Sequence, residues 1–485
     1  MGCHDHGSMA DRAAPGLPPE RSRGSDRLRE QSLGLPQVLF QSIAFMGPAA
    51  GIALSMLVVV SLAGPLLPLA FLLAGIASVL VAICIGQLAK QTPSAGGLYT
   101  YVTTSLGPAA GFVIGWLLIL FLSLVGPLIF VAMAFVMSGV VPGVPWIAWV
   151  LLTAAVVLII NIRDVRLSTN VGLVLGLAEL ALFSALAVWM IVANADDNTL
   201  RVFDPALAGP GGIADILKAT ALAFVSFVGF ETAAVLGEEA RRPRWTIPRA
   251  VVLAAVAVGA FYLLTSYATV IGFGFDAFTD AALASGNPWI ALGERYWGGA
   301  WVLILFALVN SMIGVANAAV VAASRVVYAM GRAGVLPPVL GRTHTSFRTP
   351  HIAVASVTIA GAIVATFAGI AWDLLTAAGV LATAVAIPAL VIYIIACVAT
   401  IVTYARQHRD AFNPWLHGVV PIAGIAALLA PLAFQYVPFP APPISYANWF
   451  ALGWLITGFA IAGWLMLTRS EVLGRARLLF VEDLE

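Results

Sequence analysis

Long unbroken apolar stretches, separated by short polar segments, run along almost the whole chain. They fall at about 37–62, 64–89, 107–139, 145–162, 168–193, 214–238, 250–274, 300–330, 352–371, 373–404, 417–437 and 448–467. About 20 apolar residues in helical form cover the hydrocarbon thickness of a bilayer, so each stretch is long enough to cross. None shows the period-two alternation of a half-buried strand. Backbone amides left unpaired in lipid cost several kcal/mol each, so stretches this apolar must close their hydrogen bonds internally, as helices and not as barrel strands. The pattern predicts an all-α membrane protein of about twelve transmembrane helices, with boundaries uncertain by roughly 2–4 residues.

Composition agrees with that class. Hydrophobic residues make up 61% of the 485 and charged residues only 10%, and the mean hydropathy is +0.99, whereas a soluble protein is about one quarter charged. A soluble catalytic domain does not fit in what remains. With the N-terminus placed inside, the cytoplasmic segments collect 20 of the 24 basic residues, among them Lys90, Arg163, Arg241, Arg242, Arg244, Arg332, Arg406 and Arg409. The outer loops collect Asp196, Asp197, Asp204, Asp276, Asp280, Glu294 and Asp373. Lys and Arg gather on the cytoplasmic side of membrane proteins, so both termini are expected inside and the loops at 195–210 and 276–299 outside. One helix more or fewer would invert every later loop, and the count of twelve gains support from this agreement.

Residues 1–35 are polar and rich in Arg, Gly, Pro and Ser, without the apolar core of a cleaved signal peptide; they read as a disordered cytoplasmic tail. Cys3, His4 and His6 lack a fourth ligand and a supporting shell for a metal. Cys84 and Cys397 lie inside apolar stretches and read as packing residues, so neither a disulfide framework nor a zinc site is suggested. Of the other histidines, His344, His408 and His417 fall in loops and His351 at a span entrance. No nucleotide-binding loop, no metal-ligand cluster and no continuous polar lining is visible. A membrane-embedded enzyme or a channel is therefore disfavoured, no cofactor is expected, and the expected partners are a small-molecule substrate and the bilayer, with no nucleic acid.

Two of the apolar stretches are interrupted at mid-depth. The first contains Phe45-Met46-Gly47-Pro48-Ala49-Ala50-Gly51, and the sixth Ser226-Phe227-Val228-Gly229-Phe230-Glu231-Thr232. Proline removes a donor and clashes with the preceding turn, while glycine tolerates unwinding. Kinks of this kind are common in membrane helices, but interruptions at corresponding places in two halves of a chain are the sequence pointer to a transporter site.

In this order and spacing the residues resemble the amino acid-polyamine-organocation permeases, over about residues 36 to 470. Four patterns carry the likeness: the Gly47 to Gly51 interruption; Gln87-Leu88-Ala89-Lys90-Gln91-Thr92-Pro93-Ser94-Ala95-Gly96-Gly97-Leu98-Tyr99-Thr100-Tyr101; Phe227-Val228-Gly229-Phe230-Glu231 followed by Glu238-Glu239-Ala240-Arg241-Arg242-Pro243; and Ser324-Arg325 through Leu336-Pro337. Relatives usually carry Glu where Gln87 stands. The resemblance implies a leucine-transporter-type fold with two five-helix inverted repeats, here 36–205 and 206–405, and two further helices in 406–485. It implies an amino acid or amine permease working by alternating access, with proton coupling or exchange; a polyamine or organocation transporter of the same fold is the alternative.

The expected substrate site is then Gly47, Ala49, Ala50 and Gly51 with Phe227, Val228, Gly229, Phe230 and Glu231. Amides freed at the first interruption suit a carboxylate, and carbonyls freed at the second suit an ammonium. Phe227 and Phe230 either wall the pocket or pack behind it. Glu179, alone among leucines and alanines, is either a carrier of the coupling proton or a protonated structural group. Glu238, Glu239 and Arg241 are either inner-gate partners or a solvated helix end.

Overall fold

The structure is a computed structural model and describes residues 33–92, 97–163, 169–236, 240–332, 336–344 and 349–468. Its helices are α1 (Leu35–Met46), α2 (Pro48–Val58), α3 (Leu67–Gln91), α4 (Pro108–Val140), α5 (Trp146–Arg163), α6 (Thr169–Ala193), α7 (Gly212–Val225), α8 (Pro243–Phe273), α9 (Trp301–Arg332), α10 (His351–Ala371), α11 (Leu374–Val402), α12 (Val420–Phe434) and α13 (Ile444–Thr468), joined by shorter helical turns. Each of the predicted apolar stretches holds a helix. Among the described residues eleven helices are long and apolar enough to cross a membrane, and the stretch at 145–162 holds a shorter apolar one, Trp146–Ile162. The chain is a multi-pass, all-α membrane protein. The expected tail lies, up to residue 32, outside the described residues. Leu33 itself forms a parallel bridge with Ala240, and the Arg241 amide donates to the Leu33 carbonyl (2.8 Å).

Between helices in lipid there is no hydrophobic driving force, so close association relies on small side chains and on packing. The most extensive helix pair, α3 with α8, follows that rule. Ala70, Ala74, Ala77, Ser78 and Ala82 of α3 and Ala250, Ala254 and Ala255 of α8 are all buried. At Gly86 an added Cβ would stand 3.3 Å from Pro248 Cα, so backbone meets backbone there. Helix α4 is the most enclosed span and packs on α11 and α9, whereas α12 and α13 are among the least enclosed. Sequence distance is folded away in the interior as well: the Thr400 hydroxyl of α11 donates to the Cys84 carbonyl of α3 (3.2 Å), and Cys84 and Cys397 are both free and buried.

Segments assigned to one side of the membrane by their charges also meet in space. Arg201 pairs with Asp276 (3.6 Å), joining the two loops expected outside, and the Tyr267 hydroxyl near the end of α8 donates to Asn198 Oδ1 (3.1 Å) in the first of them. At the opposite parity, Leu33 meets Ala240 and Arg241, and the Thr349 hydroxyl donates to the Ile162 carbonyl (3.2 Å).

Asp373 caps α11 from the loop before it. Its carboxylate accepts the amides of Leu375 and Thr376, both at 3.0 Å, and the Thr376 hydroxyl. These donors hold the carboxyl below its ordinary value, the Thr376 hydroxyl contributing most. A depressed carboxylate stabilises the fold above its unfolded pKa and loses that contribution as pH falls through the folded value. Asp373→Ala is expected to cost about 1 kcal/mol at neutral pH, read as a lower thermal midpoint in detergent. The difference from wild type should vanish in acid below the depressed value; a difference that persists there would contradict the charge-assisted cap.

Candidate substrate site at two helix breaks

The first span is cut between α1 and α2 at a single residue. Gly47 is left-handed (φ 53°, ψ 71°), its amide still donates back to Ile43 O (3.2 Å), and Pro48 opens α2 as the residue that needs no N–H there. A Cβ on Gly47 would sit 2.0 Å from Val315 Cγ2. The expectation of irregular backbone over the whole of 47–51 is corrected: residues 48 to 51 already form the first turn of α2, because Gly51 N closes a helical bond to Gly47 O (2.8 Å).

The sixth span is cut after α7. Amides of Ser226, Phe227 and Val228 tighten onto carbonyls three residues back at 3.0, 3.0 and 3.1 Å, Gly229 turns the chain at φ +116°, and a 3-10 stretch, Phe230–Leu236, follows. The Gly229 amide donates to Glu231 Oε2 (3.0 Å). The two cuts touch. A Cβ on Gly229 would lie 2.4 Å from Phe45 Cδ1 and 3.1 Å from the Met46 nitrogen, and Ser42 of α1 donates to the Phe230 carbonyl (2.9 Å) while accepting from the Ala233 amide (3.0 Å).

The amides exposed at the start of α2 are not empty-handed. Ala49 N donates to Glu179 Oε1 (3.0 Å) and Ala50 N to Ser311 Oγ (3.0 Å). Ser311 in turn donates to the same Glu179 oxygen (2.8 Å), and Asn310 Nδ2 reaches Oε2 at 3.4 Å. Glu179 is 4% exposed. A resident carboxylate from α6, helped by α9, thus sits at the positive end of the half-helix α2, where such a charge is favoured. The consequence falls on α1. Pro48 has no N–H, and Ala49 and Ala50 are turned elsewhere, so the carbonyls of Ala44, Phe45 and Met46 lose their helical donors.

Beside the two cuts lies a cavity with about 660 Å³ of space between its atoms, open solvent at its mouth included. Its walls come from α1, α2, α4, α7, α9 and α11. Of the expected substrate residues, Ala50, Gly51 and Val228 line it. Gly47 and Ala49 stand behind, against Ser311, Val315 and Glu179. Phe227 and Phe230 are fully buried in an aromatic cluster, Phe227 edge-on to Tyr262 (5.0 Å between centroids) and Phe230 stacked on Tyr393 (5.4 Å). Half-buried Glu231 is bound to Gly229 and does not line the cavity. Glu238 and Glu239 lie outside the described residues; Arg241 is exposed and is tied through its backbone to Leu33.

A floor of hydroxyls joins the cuts. Ser55 and Ser226 approach to 2.9 Å and both reach the Gly51 carbonyl, at 2.8 and 3.1 Å. Tyr262 of α8 donates to the Ser226 carbonyl (2.8 Å) and passes directly over Gly51.

Comparison with known proteins places this architecture. The profile of the family described as Amino acid permease matches residues 37–471. This chain belongs to the amino acid permease family. It is 28% identical to the low-affinity putrescine importer PlaP of Escherichia coli (strain K12) over 69% of this chain and 73% of that one, and 26% identical to a methylthioribose transporter of Bacillus subtilis (strain 168) over 81% and 85%. A branched-chain amino acid permease, BcaP, of the same Bacillus strain is 26% identical over 60% and 65%. The crystal structure of a point mutant of the Eremococcus coleocola manganese transporter superposes with a TM-score of 0.57 at 10% identity, covering 92% of this chain and 99% of that one, a likeness of fold alone. For this permease the function is therefore membrane transport of the kind carried out by amino acid and polyamine permeases.

Three functional neighbours escaped the sequence reading: Ser311 and Asn310, hidden in an ordinary apolar span, and Tyr262. Only their position opposite Glu179 and Gly51 marks them. His417, read as a loop residue, is corrected: it is 3% exposed, at the π-helical turn Trp415–Val419 leading into α12. Its ring stacks on Tyr404 (3.4 Å), Nδ1 accepts the Asn413 amide (2.9 Å), and Nε2 faces Gln87 Oε1 (3.3 Å). The amide at position 87 thus has a histidine partner.

The close approach at Gly51 is filled by protein, since a Cβ there would stand 2.1 Å from the Tyr262 hydroxyl. Gly51→Ala should cost about 1–3 kcal/mol through overpacking and lower the thermal midpoint, and Tyr262→Phe in the same chain should recover part of the loss. Full stability of Gly51→Ala alone would show that Tyr262 does not occupy that space.

Proposed function

We propose that this permease is a secondary transporter of amino acids or related amines in the cytoplasmic membrane, working by alternating access around the two helix breaks. Residues 36–205 and 206–405 form its two inverted five-helix repeats, 406–485 carries the two outer helices and the C-terminal tail, and both termini face the cytoplasm. Transport needs no cofactor and no nucleic acid. Gly47, Ala49, Ala50 and Gly51 with Phe227, Val228, Gly229, Phe230 and Glu231 frame the substrate site, the last group partly from behind the cavity wall. Glu238, Glu239 and Arg241 remain candidates for the inner gate.

The observation that carries this reading is the cap on α2. Glu179 binds, directly and through Ser311, the two amides that a substrate carboxylate needs. An ionised Glu179 competes with that carboxylate, and a protonated one gives up the charge-assisted bond. Proton and substrate then bind together, which is the linkage a symporter requires. Tyr262 on α8 acts electrostatically on Glu179; α1 and α2 carry no titratable side chain, and the other titratable groups on the helices packed against α6 include Arg244, Arg249 and Tyr267 on α8, Arg325 and Tyr328 on α9, and Glu294, Arg295 and Tyr296 in Pro288–Trp297.

In proteoliposomes, Glu179→Gln should abolish accumulation driven by a pH gradient while leaving exchange of labelled substrate within about threefold of wild type. Retention of full gradient-driven accumulation would remove Glu179 from the coupling path.

Orientation has its own check. In a background lacking the native cysteines, Asp197→Cys and Asp280→Cys, both at exposed positions, should react with an impermeant thiol reagent on intact cells, and exposed Arg244→Cys should not. The opposite pattern would invert the topology.

A further inference from the structure

We infer that the substrate carries one ammonium group on an aliphatic body, and that dications such as diamines and basic amino acids are rejected at this site. The inference rests on the transporter reading and names its substrate class.

The cavity provides one place for a positive charge. At its α1 end the cavity is lined by Phe45 and Met46, whose carbonyls lack helical donors at the negative end of a half-helix, whereas the carbonyls that end α7 are taken by the Phe227 and Val228 amides and the Tyr262 hydroxyl. Such helix ends carry roughly half an elementary charge each. That suits a single ammonium. A second, several bonds away along the solute, needs a counter-charge, because a desolvated unpaired ammonium costs several kcal/mol.

No such counter-charge lines the walls. The polar side chains among the lining residues are Ser55 and Ser226, and none of the lining residues is charged. The remainder of the solute meets Leu54, Val58, Val125, Leu128, Ile129 and Val315, surface that rewards burial of an alkyl chain at about 25 cal/mol per Å² and offers an ammonium nothing. The two intramembrane carboxylates near the breaks are both engaged and both outside the lining: Glu179 by Ala49, Ser311 and Asn310, and Glu231 by Gly229. The hydroxyl floor donates to the Gly51 carbonyl, and the lone pairs it keeps are neutral acceptors, not a counter-charge.

The test compares three solutes with nearly the same carbon chain. L-norleucine has one ammonium, L-lysine adds a second at the chain end, and 1,5-diaminopentane keeps both but lacks the carboxylate. Binding to the purified full-length chain in lipid nanodiscs would be measured by calorimetry or thermal shift, together with a panel of neutral amino acids. Norleucine and other aliphatic amino acids should bind at least about 100-fold more tightly than lysine or the diamine. Ala382→Asp, which sets a carboxylate into the wall, should narrow the norleucine-to-lysine ratio at least tenfold. Lysine or diaminopentane binding as tightly as norleucine to the wild type would overturn the inference while leaving a transporter in place. If no amino acid and no amine binds, the transporter reading fails and this inference with it.

Discussion

A helix cut in the middle of a membrane leaves amides and carbonyls that no water can reach, so the cut survives only if the protein supplies partners. In this permease the partner is Glu179. Its carboxylate, from α6, closes the start of α2 through Ala49 and, through Ser311, Ala50. Much else follows from that one charge-assisted contact. It ties three helices together, and by drawing two amides away it leaves the last carbonyls of α1 without helical donors. Ionising a carboxyl buried this deeply is expensive; its three donors and the positive end of α2 offset that cost.

The second break obeys the same constraint by different means. Here the backbone satisfies itself locally, by tightened turns and by Glu231 folding back on the Gly229 amide, and Ser42 links the result to α1. Gly229 must approach Phe45 and Met46 closely for this to happen. The two cuts form a single unit, and a rearrangement of one cannot leave the other unchanged. The alternating access proposed for this permease would need such a linked pair as its pivot.

Aromatic packing explains why the chemistry at the site is so spare. Phe227 and Phe230, adjacent to the second cut, pack away from the cavity, Phe227 with Phe71 and Tyr262 and Phe230 with Tyr393, and leave it to Phe45, Met46, aliphatic walls and two serines. The cluster stiffens the back of the site, while the smaller residues at the front leave volume for a solute. Selectivity in such a pocket comes from what is missing as much as from what is offered, because a buried charge without a partner is penalised more than an extra methylene is rewarded.

Much of this protein was legible before any coordinates. The apolar stretches set the kind of elements and where along the chain they lie, because backbone groups in lipid have only helices to go to. Gly47-Pro48 and Gly229 announced the breaks, since those residue types are the ones that interrupt a helix cheaply. The stretch at 145–162 was equally visible, although its helix is shorter than the rest. Sequence alone did not decide the facing of a side chain within an apolar span. Nothing around Glu179, Ser311 or Tyr262 in the chain distinguishes an inward position from an outward one, because a membrane helix is apolar on every side and its periodicity is weak. For the same reason Phe227 and Phe230 were ambiguous, His417 passed for a loop residue, and the closure of the α2 amides by Glu179 was invisible. Which residues meet across helices that are distant in sequence was decided by packing, and packing alone determined that the carboxylate closes the break and the cavity beside it carries no charge.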